Sequence, residues 1–185
     1  GTINSACKVG VVSAEGGKTI WFKVPGDARD HYIPKMEWAA ASDEVVIQQL
    51  NRLQNTNKVM LGKISDGSVT TIHTEKDEAW LDVNDDLKWF NHGRRFTWLS
   101  ERDGWRHLYI ISRNGEKVKL LTPGEYDIVN IQKIDTSSGW VYYIASPDNP
   151  TQRYLYRINL DGDGKAKRLT PQHQPGTHSY QIDPG

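Results

Sequence analysis

Short runs in which apolar and polar residues alternate are the dominant pattern in this chain. Between residues 154 and 160, Tyr154, Tyr156, Ile158 and Leu160 fall on one face, as expected for a half-buried β-strand. No segment of ten or more residues combines helical end signals with a 3.6-residue period, although residues 45–53 fit a helix or a strand. The pattern predicts an all-β chain, with further strands at residues 36–39, 44–50, 87–90, 95–99, 128–134 and 140–145.

A segment of about 48 residues recurs along the chain. The run Arg-His-Leu-Tyr-Ile-Ile-Ser-Arg-Asn-Gly at 106–115 aligns with Arg-Tyr-Leu-Tyr-Arg-Ile-Asn-Leu-Asp-Gly at 153–162, and each continues to a Leu-Thr-Pro element. Related runs occur at 59–72 and 8–20. Each contains a strand, an Asp-Gly, Asn-Gly or Gly-Gly pair and a second strand, which predicts a hairpin with a two-residue turn and positive φ at both central residues.

Four strands in every repeat of this length are typical of a β-propeller blade. We therefore predict that residues 1–185 form a partial β-propeller domain of four-stranded antiparallel blades, about three of them complete. A closed ring needs roughly four to eight blades, so the chain is expected to be a fragment of a larger ring. The predicted blades lie near residues 1–26 (partial), 32–74, 85–123, 127–171 and 176–185 (partial), and the last of them is expected to begin with a strand near residues 177–182.

Composition and charge exclude several function classes. Lys and Arg number 23 and Asp and Glu also 23, so the formal net charge is zero and no nucleic-acid partner is expected. Cys7 is the only cysteine, which excludes an internal disulfide and a cysteine-based zinc site. No apolar run approaches the roughly 20 residues of a membrane-spanning helix, and this segment carries no targeting signal.

A search for catalytic and metal-binding motifs predicts neither kind of site. The chain contains no Gly-x-Ser-x-Gly nucleophile motif, and its six His residues form no His-x-x-x-His pair. Residues 159–164 resemble the start of a calcium loop, but Thr170 occupies the position of the bidentate Glu, so a hairpin turn is favoured. The acidic run at 82–86 could bind a cation or a substrate amine, or be a solvated loop.

Four runs in this sequence resemble the propeller of the bacterial dipeptidyl peptidase IV family, which are serine exopeptidases related to prolyl oligopeptidase. The most specific is Ser-Glu-Arg-Asp-Gly-Trp-Arg-His-Leu-Tyr at 100–109, and the others lie at 80–86, 121–127 and 176–180. The resemblance implies a parent enzyme with an eight-bladed propeller followed by an α/β-hydrolase domain. That enzyme would remove Xaa-Pro or Xaa-Ala dipeptides from free peptide N-termini.

The resemblance assigns no catalytic residue and no cofactor to this chain. The Ser, Asp and His triad would lie beyond Gly185, and the paired Glu that binds the substrate amine would precede Gly1. This segment would then shape and gate access to the active site. Mammalian members place a Phe and an Arg facing the substrate in the loop that here carries the acidic run without an Arg. Trp80, Asn84 and Asp85 are the residues we expect to face the cavity.

The expected partners follow from the same resemblance. They are peptide substrates with a free N-terminus, the hydrolase domain of the same parent chain and a second parent chain in a homodimer, with a periplasmic or cell-envelope location. Two alternatives stay open, namely a stand-alone propeller that binds other proteins and the propeller of another peptidase in the prolyl oligopeptidase clan. A propeller enzyme with a central metal would need acidic residues in several blades, and only residues 82–86 qualify.

Overall fold

The computed structural model describes residues 3–41 and 43–182, and within these ranges the chain forms fourteen β-strands and no helix. The all-β prediction is confirmed, and residues 45–53 lie largely in a strand. No helix in the described part of the chain is long and apolar enough to cross a membrane. The strands are β1 (Gly10–Val11), β2 (Ile20–Trp21), β3 (His31–Trp38), β4 (Glu44–Asn51), β5 (Thr56–Lys63), β6 (Val69–Lys76), β7 (Trp89–Phe90), β8 (Arg95–Ser100), β9 (His107–Ser112), β10 (Val118–Leu120), β11 (Ile128–Asp135), β12 (Trp140–Ala145), β13 (Tyr154–Asn159) and β14 (Lys167–Arg168).

These strands form one two-stranded and three four-stranded sheets, in which each strand pairs antiparallel with the next one along the chain. The four-stranded sheets are β3-β4-β5-β6, β7-β8-β9-β10 and β11-β12-β13-β14, and β1 pairs with β2. This meander is the strand order of a propeller blade, because each strand turns back beside its predecessor. The predicted unit of four strands per repeat is therefore confirmed.

The chain divides into two compact units, each with its own apolar core. The first contains the described residues up to Val83 together with Arg113–Glu116, and its core lies between the β1-β2 pair and the β3–β6 sheet. The second contains Asn84–Ser112 and the described residues from Lys117 onward. Its core includes Leu108, Leu121, Val141, Tyr143 and Ile158. Alternation places these side chains on the inner faces of the sheets, as the sequence pattern predicts.

The hairpin turns differ from the predicted two-residue type. The Gly16-Gly17 pair has positive φ at both residues, whereas at residues 66–67 and 114–115 only Gly67 and Gly115 do. In the 64–67 turn the Gly67 amide donates to the Lys63 carbonyl at 2.9 Å, so the loop is longer than two residues. The Asp66 carboxylate accepts the Ser68 amide at 2.8 Å, which stabilises this longer loop without positive φ at Asp66.

The repeated Leu-Thr-Pro element has a structural explanation in the second unit. The Thr122 hydroxyl accepts a hydrogen bond from the Leu108 amide at 2.9 Å, and the Thr170 hydroxyl accepts one from the Leu155 amide at 2.9 Å. Both threonines are buried. The prolines that follow, Pro123 and Pro171, have no N–H to donate, so backbone pairing with β9 and β13 does not continue past them. The threonine side chain thus satisfies a buried amide at the point where strand pairing stops.

The predicted partial blades at the two ends of the chain are only partly within the described residues. Residues 1–2 of the first partial blade and residues 183–185 of the last one lie outside the described residues. Over residues 177–182 we expected the first strand of another blade, but the described residues there form no strand. Thr177 makes an isolated parallel bridge with Arg153, whose carbonyl accepts the His178 amide at 3.1 Å. A strand extends only where a neighbouring strand provides continuous pairing.

Candidate functional site

Trp80, the first of the three predicted substrate-facing residues, lies in an exposed loop of the first unit. The Asp77 carboxylate accepts the Ala79 amide at 2.7 Å and the Trp80 amide at 3.2 Å, which fixes the backbone of the loop. The indole Nε1 donates to the Asp82 carboxylate at 3.1 Å, while 55% of the Trp80 residue stays exposed. An exposed aromatic ring in a fixed orientation is a suitable contact for a passing peptide.

Asn84 and Asp85 belong to the second unit and have different environments. Asn84 is buried, and its side-chain amide donates to the Leu99 carbonyl at 2.8 Å while its oxygen accepts the Asp86 amide at 3.1 Å. Asp85 is exposed. Asn84 therefore holds this connection against β8, and of the two residues only Asp85 presents its side chain to solvent. Substrate contact by Trp80, Asn84 or Asp85 stays a prediction.

The run at 100–109 contains an Asp–His pair that we did not predict. His107 Nδ1 lies 2.9 Å from the Asp103 carboxylate, which can only accept, so Nδ1 carries the proton. Partial burial raises the pKa of Asp103, but hydrogen bonds from His107 and Tyr109 outweigh it and the pKa is below its ordinary value. The signal available in the sequence was the four-residue spacing of an Asp and a His across a tight turn.

The surroundings of His107 make this pair structural and not catalytic. The ring is buried, and its Nε2 has no hydrogen-bond partner among the described residues. It packs edge-on against Tyr126 with ring centroids 5.8 Å apart, and burial raises the pKa of Tyr126. A catalytic histidine needs its second nitrogen within hydrogen-bond reach of a nucleophile or substrate, and here that nitrogen is buried inside the second unit. The pair instead fixes the β8–β9 connection.

Arg106, in the same run, joins this connection to the start of β11. Its amide donates to the Asp127 carboxylate at 2.7 Å, and its guanidinium donates to the Ile128 and Val129 carbonyls at 3.1 and 3.0 Å. Charge-assisted hydrogen bonds of this kind are stronger than neutral ones. The most specific sequence run in the chain is therefore a structural junction between two sheets of the second unit.

Other acidic and histidine clusters provide no metal site within the described residues. A buried pair, His73 and Glu75, lies on β6 with Nε2 and Oε2 3.3 Å apart. In residues 3–41 and 43–182, no group of three or more His, Cys, Asp or Glu side chains is arranged to hold a metal ion. Residues 159–164 follow β13 as a turn, where Asn159 accepts the Asp161 amide at 2.9 Å and Asp161 pairs with Arg95.

Comparison with families and curated proteins gives a consistent result. A family model described as the dipeptidyl peptidase IV (DPP IV) N-terminal region matches residues 1–185. Dipeptidyl peptidase 4 of Arthroderma otae is 28% identical over 148 residues, which cover 77% of this chain and 18% of that protein. Probable dipeptidyl-aminopeptidase B of Emericella nidulans is 29% identical over 172 residues, 86% of this chain and 19% of that protein. The chain thus spans under a fifth of the length of these relatives.

Solved structures with the same fold include two bacterial proteins. The crystal structure of Porphyromonas gingivalis dipeptidyl peptidase 4 matches 95% of this chain and 24% of that chain, with a TM-score of 0.79 and 26% identity. A putative dipeptidyl aminopeptidase IV from Bacteroides ovatus matches 86% of this chain and 25% of its own, with a TM-score of 0.70. Its identity of 24% supports a common fold.

Proposed function

The chain belongs to the family of dipeptidyl peptidase IV N-terminal regions, and from this premise we propose that it is a non-catalytic propeller segment of a serine exopeptidase. The parent enzyme removes Xaa-Pro or Xaa-Ala dipeptides from the free N-termini of peptides. The observation that carries the proposal is the match of the family model to all 185 residues. The succession of four-stranded antiparallel sheets supports it.

The role of this segment is to shape and gate access to an active site in another part of the parent chain. A wall of packed blades limits which substrates enter and keeps bulk water from the reacting bond, which favours correct positioning. Within the segment, Trp80 and Asp85 are the predicted residues with exposed side chains, one aromatic and one acidic. An exposed carboxylate attracts a substrate ammonium, and an exposed indole packs on a peptide backbone.

The partners of the segment follow from the same proposal. They are peptides with a free N-terminus and a C-terminal α/β-hydrolase domain of the same parent chain. We also propose that the parent is a homodimer and that it is located in the periplasm or cell envelope. Light scattering of the purified parent and fractionation of the cells that make it test these two points. A monomer, or a protein confined to the cytosol, would contradict them.

The reaction is tested on the parent polypeptide, extended on both sides of this segment. It is expected to release the chromophore from a Gly-Pro-linked substrate and to leave the N-acetylated form of that substrate intact, because the free ammonium is required for binding. Cleavage of the acetylated substrate would instead assign the segment to an endopeptidase of the same clan. If the folded parent cleaves neither substrate, the alternative of a propeller that binds other proteins would be favoured.

The contact by Trp80 is tested in the same assay. Trp80→Ala is expected to raise KM for the Gly-Pro-linked substrate about fivefold with kcat unchanged, since an aromatic contact contributes about 1 kcal/mol. Trp21→Ala is the matched control, because Trp21 is 56% exposed and lies on β2, outside the connection that carries Trp80. An equal change of KM in both variants, or none in either, would remove Trp80 from the substrate path.

A further inference from the structure

The turn between β9 and β10 contains the pair Asn114-Gly115, and Asn114 is the only asparagine in the chain that glycine follows. An asparagine carboxamide can react with the backbone nitrogen of the next residue, and a glycine leaves that nitrogen unshielded because it has no Cβ. Asn114 is exposed, so water reaches its side chain. The sequence and the exposure therefore single out one asparagine for this chemistry.

The Asn114 side chain is folded back along the backbone. Its Oδ1 accepts the Glu116 amide at 3.2 Å, which makes an Asx turn. This hydrogen bond spans the peptide group between Asn114 and Gly115 and holds the carboxamide carbon beside it. The same hydrogen bond polarises the carboxamide and stabilises negative charge that develops on Oδ1 when the carbon is attacked. The turn thus orients and activates the group that would react.

The backbone nitrogen of Gly115 is the group that would attack. Within the described residues, the Gly115 amide donates no hydrogen bond. By contrast, the amides of Gly67 and Gly104, which also lie in turns after an aspartate, each donate to a backbone carbonyl at 2.9 Å. An amide that already donates must lose its hydrogen bond before its nitrogen can attack, and that loss has a cost. The Gly115 nitrogen reacts without this cost.

Asn159 shows that an Asx turn alone does not create this arrangement. Its Oδ1 accepts the Asp161 amide at 2.9 Å, in the same way as Asn114 accepts an amide. The residue that follows is Leu160, which is buried, and its amide donates to the Gly139 carbonyl at 2.8 Å. The nitrogen next to Asn159 is therefore both shielded by a side chain and engaged in a hydrogen bond. Asn159 is a matched reference within the same chain.

We propose that Asn114 is a site of spontaneous deamidation that the folded turn favours. The Gly115 nitrogen loses its proton to solvent and attacks Asn114 Cγ, which closes a succinimide ring. The bond from Cγ to Nδ2 breaks, and Nδ2 takes up a proton and leaves as ammonia. Water then opens the ring at one of its two carbonyl carbons and gives aspartate or isoaspartate. The net change converts an amide and water into a carboxylate and ammonia, and it is independent of the proposed peptidase activity.

The isoaspartate product disturbs the turn more than the aspartate product does. Isoaspartate directs the backbone through the former side chain and so adds a methylene group just before Gly115. This position has no spare room, because a Cβ on Gly115 would overlap the Ile72 carbonyl oxygen. The neighbouring Arg113 pairs with Glu44 in the same unit. We therefore expect isoaspartate to loosen this turn and to lower the urea concentration at which the first unit unfolds.

Incubation of the folded parent protein at mildly alkaline pH, followed by peptide mapping with mass spectrometry, tests this site. Asn114 is expected to deamidate at least tenfold faster than Asn159. The rate should rise with pH, because the attacking nitrogen must lose its proton. Asn114→Gln should abolish the fast modification, since glutamine must close a larger ring. A synthetic peptide of residues 109–120, incubated in parallel, gives the rate without the fold.

The comparison of protein with peptide decides whether the turn favours the reaction. A rate in the folded parent equal to or above that of the peptide is expected. A rate below that of the peptide, or equal rates at Asn114 and Asn159, would overturn the proposal.

The effect on stability is measured on the isoaspartyl form, which enzymatic methylation of isoaspartate identifies. It should unfold at a lower urea concentration than Asn114→Asp, which carries the same charge without the added methylene group. Equal stability of the two forms would overturn the expected loosening of the turn.

Discussion

Gly115→Ala is expected to destabilise the first compact unit by about 2–5 kcal/mol. Gly115 has φ of 77°, a left-handed conformation that costs a residue with a Cβ about 1–2 kcal/mol. A Cβ at this position would also overlap the carbonyl oxygen of Ile72, which belongs to the same unit. Backbone atoms of a paired strand cannot move aside as a side chain can, so the overlap adds about 1–3 kcal/mol. Urea unfolding of the chain measures the sum.

Gly16→Ala separates the two contributions. Gly16 has φ of 88°, close to that of Gly115, and nothing lies within 4 Å of its added Cβ. It belongs to the same unit, so both variants report on the same unfolding transition. Gly16→Ala should lose about 1–2 kcal/mol. Equal losses in the two variants would mean that the packing of Gly115 against Ile72 contributes nothing.

Thr122→Val is expected to destabilise the second unit by about 1–3 kcal/mol, although valine has nearly the same shape as threonine. The substitution removes the hydroxyl that accepts the Leu108 amide and leaves this N–H buried without an acceptor. Thr170→Val should act in the same way on the Leu155 amide. Urea unfolding, followed by tryptophan fluorescence, measures the loss.

Thr122→Ser is the control for this second prediction. Serine keeps the hydroxyl and loses one methyl group, which costs about 0.8 kcal/mol of buried apolar surface. If the hydroxyl acts through its hydrogen bond, the Thr122→Ser variant is therefore expected to be more stable to urea than Thr122→Val. If threonine acted through apolar packing alone, Thr122→Val would be the more stable of the two variants. That result would contradict the account.

The sheets of this chain could be predicted because their signals are local. Alternating side chains and a turn glycine mark the hairpin of β9 and β10 within about 15 residues, so these strands and their connection follow directly from the sequence. The turn geometry could not be predicted, because it depends on whether a side chain such as Asp66 accepts a nearby amide. The strand expected at 177–182 needs a neighbouring strand for pairing, which its own residues do not encode.

The candidate site could be predicted only as a stretch of chain. The acidic run after Trp80 was visible, but the sequence does not tell that Asn84 turns inward to the Leu99 carbonyl while Asp85 remains exposed. A polar pocket in the first unit was missed for a related reason. His31, Gln49 and Lys58 lie on three successive strands, and only the register of those strands brings them together.

The central claim is that this segment belongs to a serine peptidase without supplying its catalytic residues. Labelling of the parent protein with a fluorophosphonate, followed by digestion and mass spectrometry, tests both parts at once. The account predicts one labelled serine outside residues 1–185, with labelling slowed by a dipeptide substrate that has a free amine. A labelled serine within residues 1–185, or an active parent that takes up no label, would contradict it.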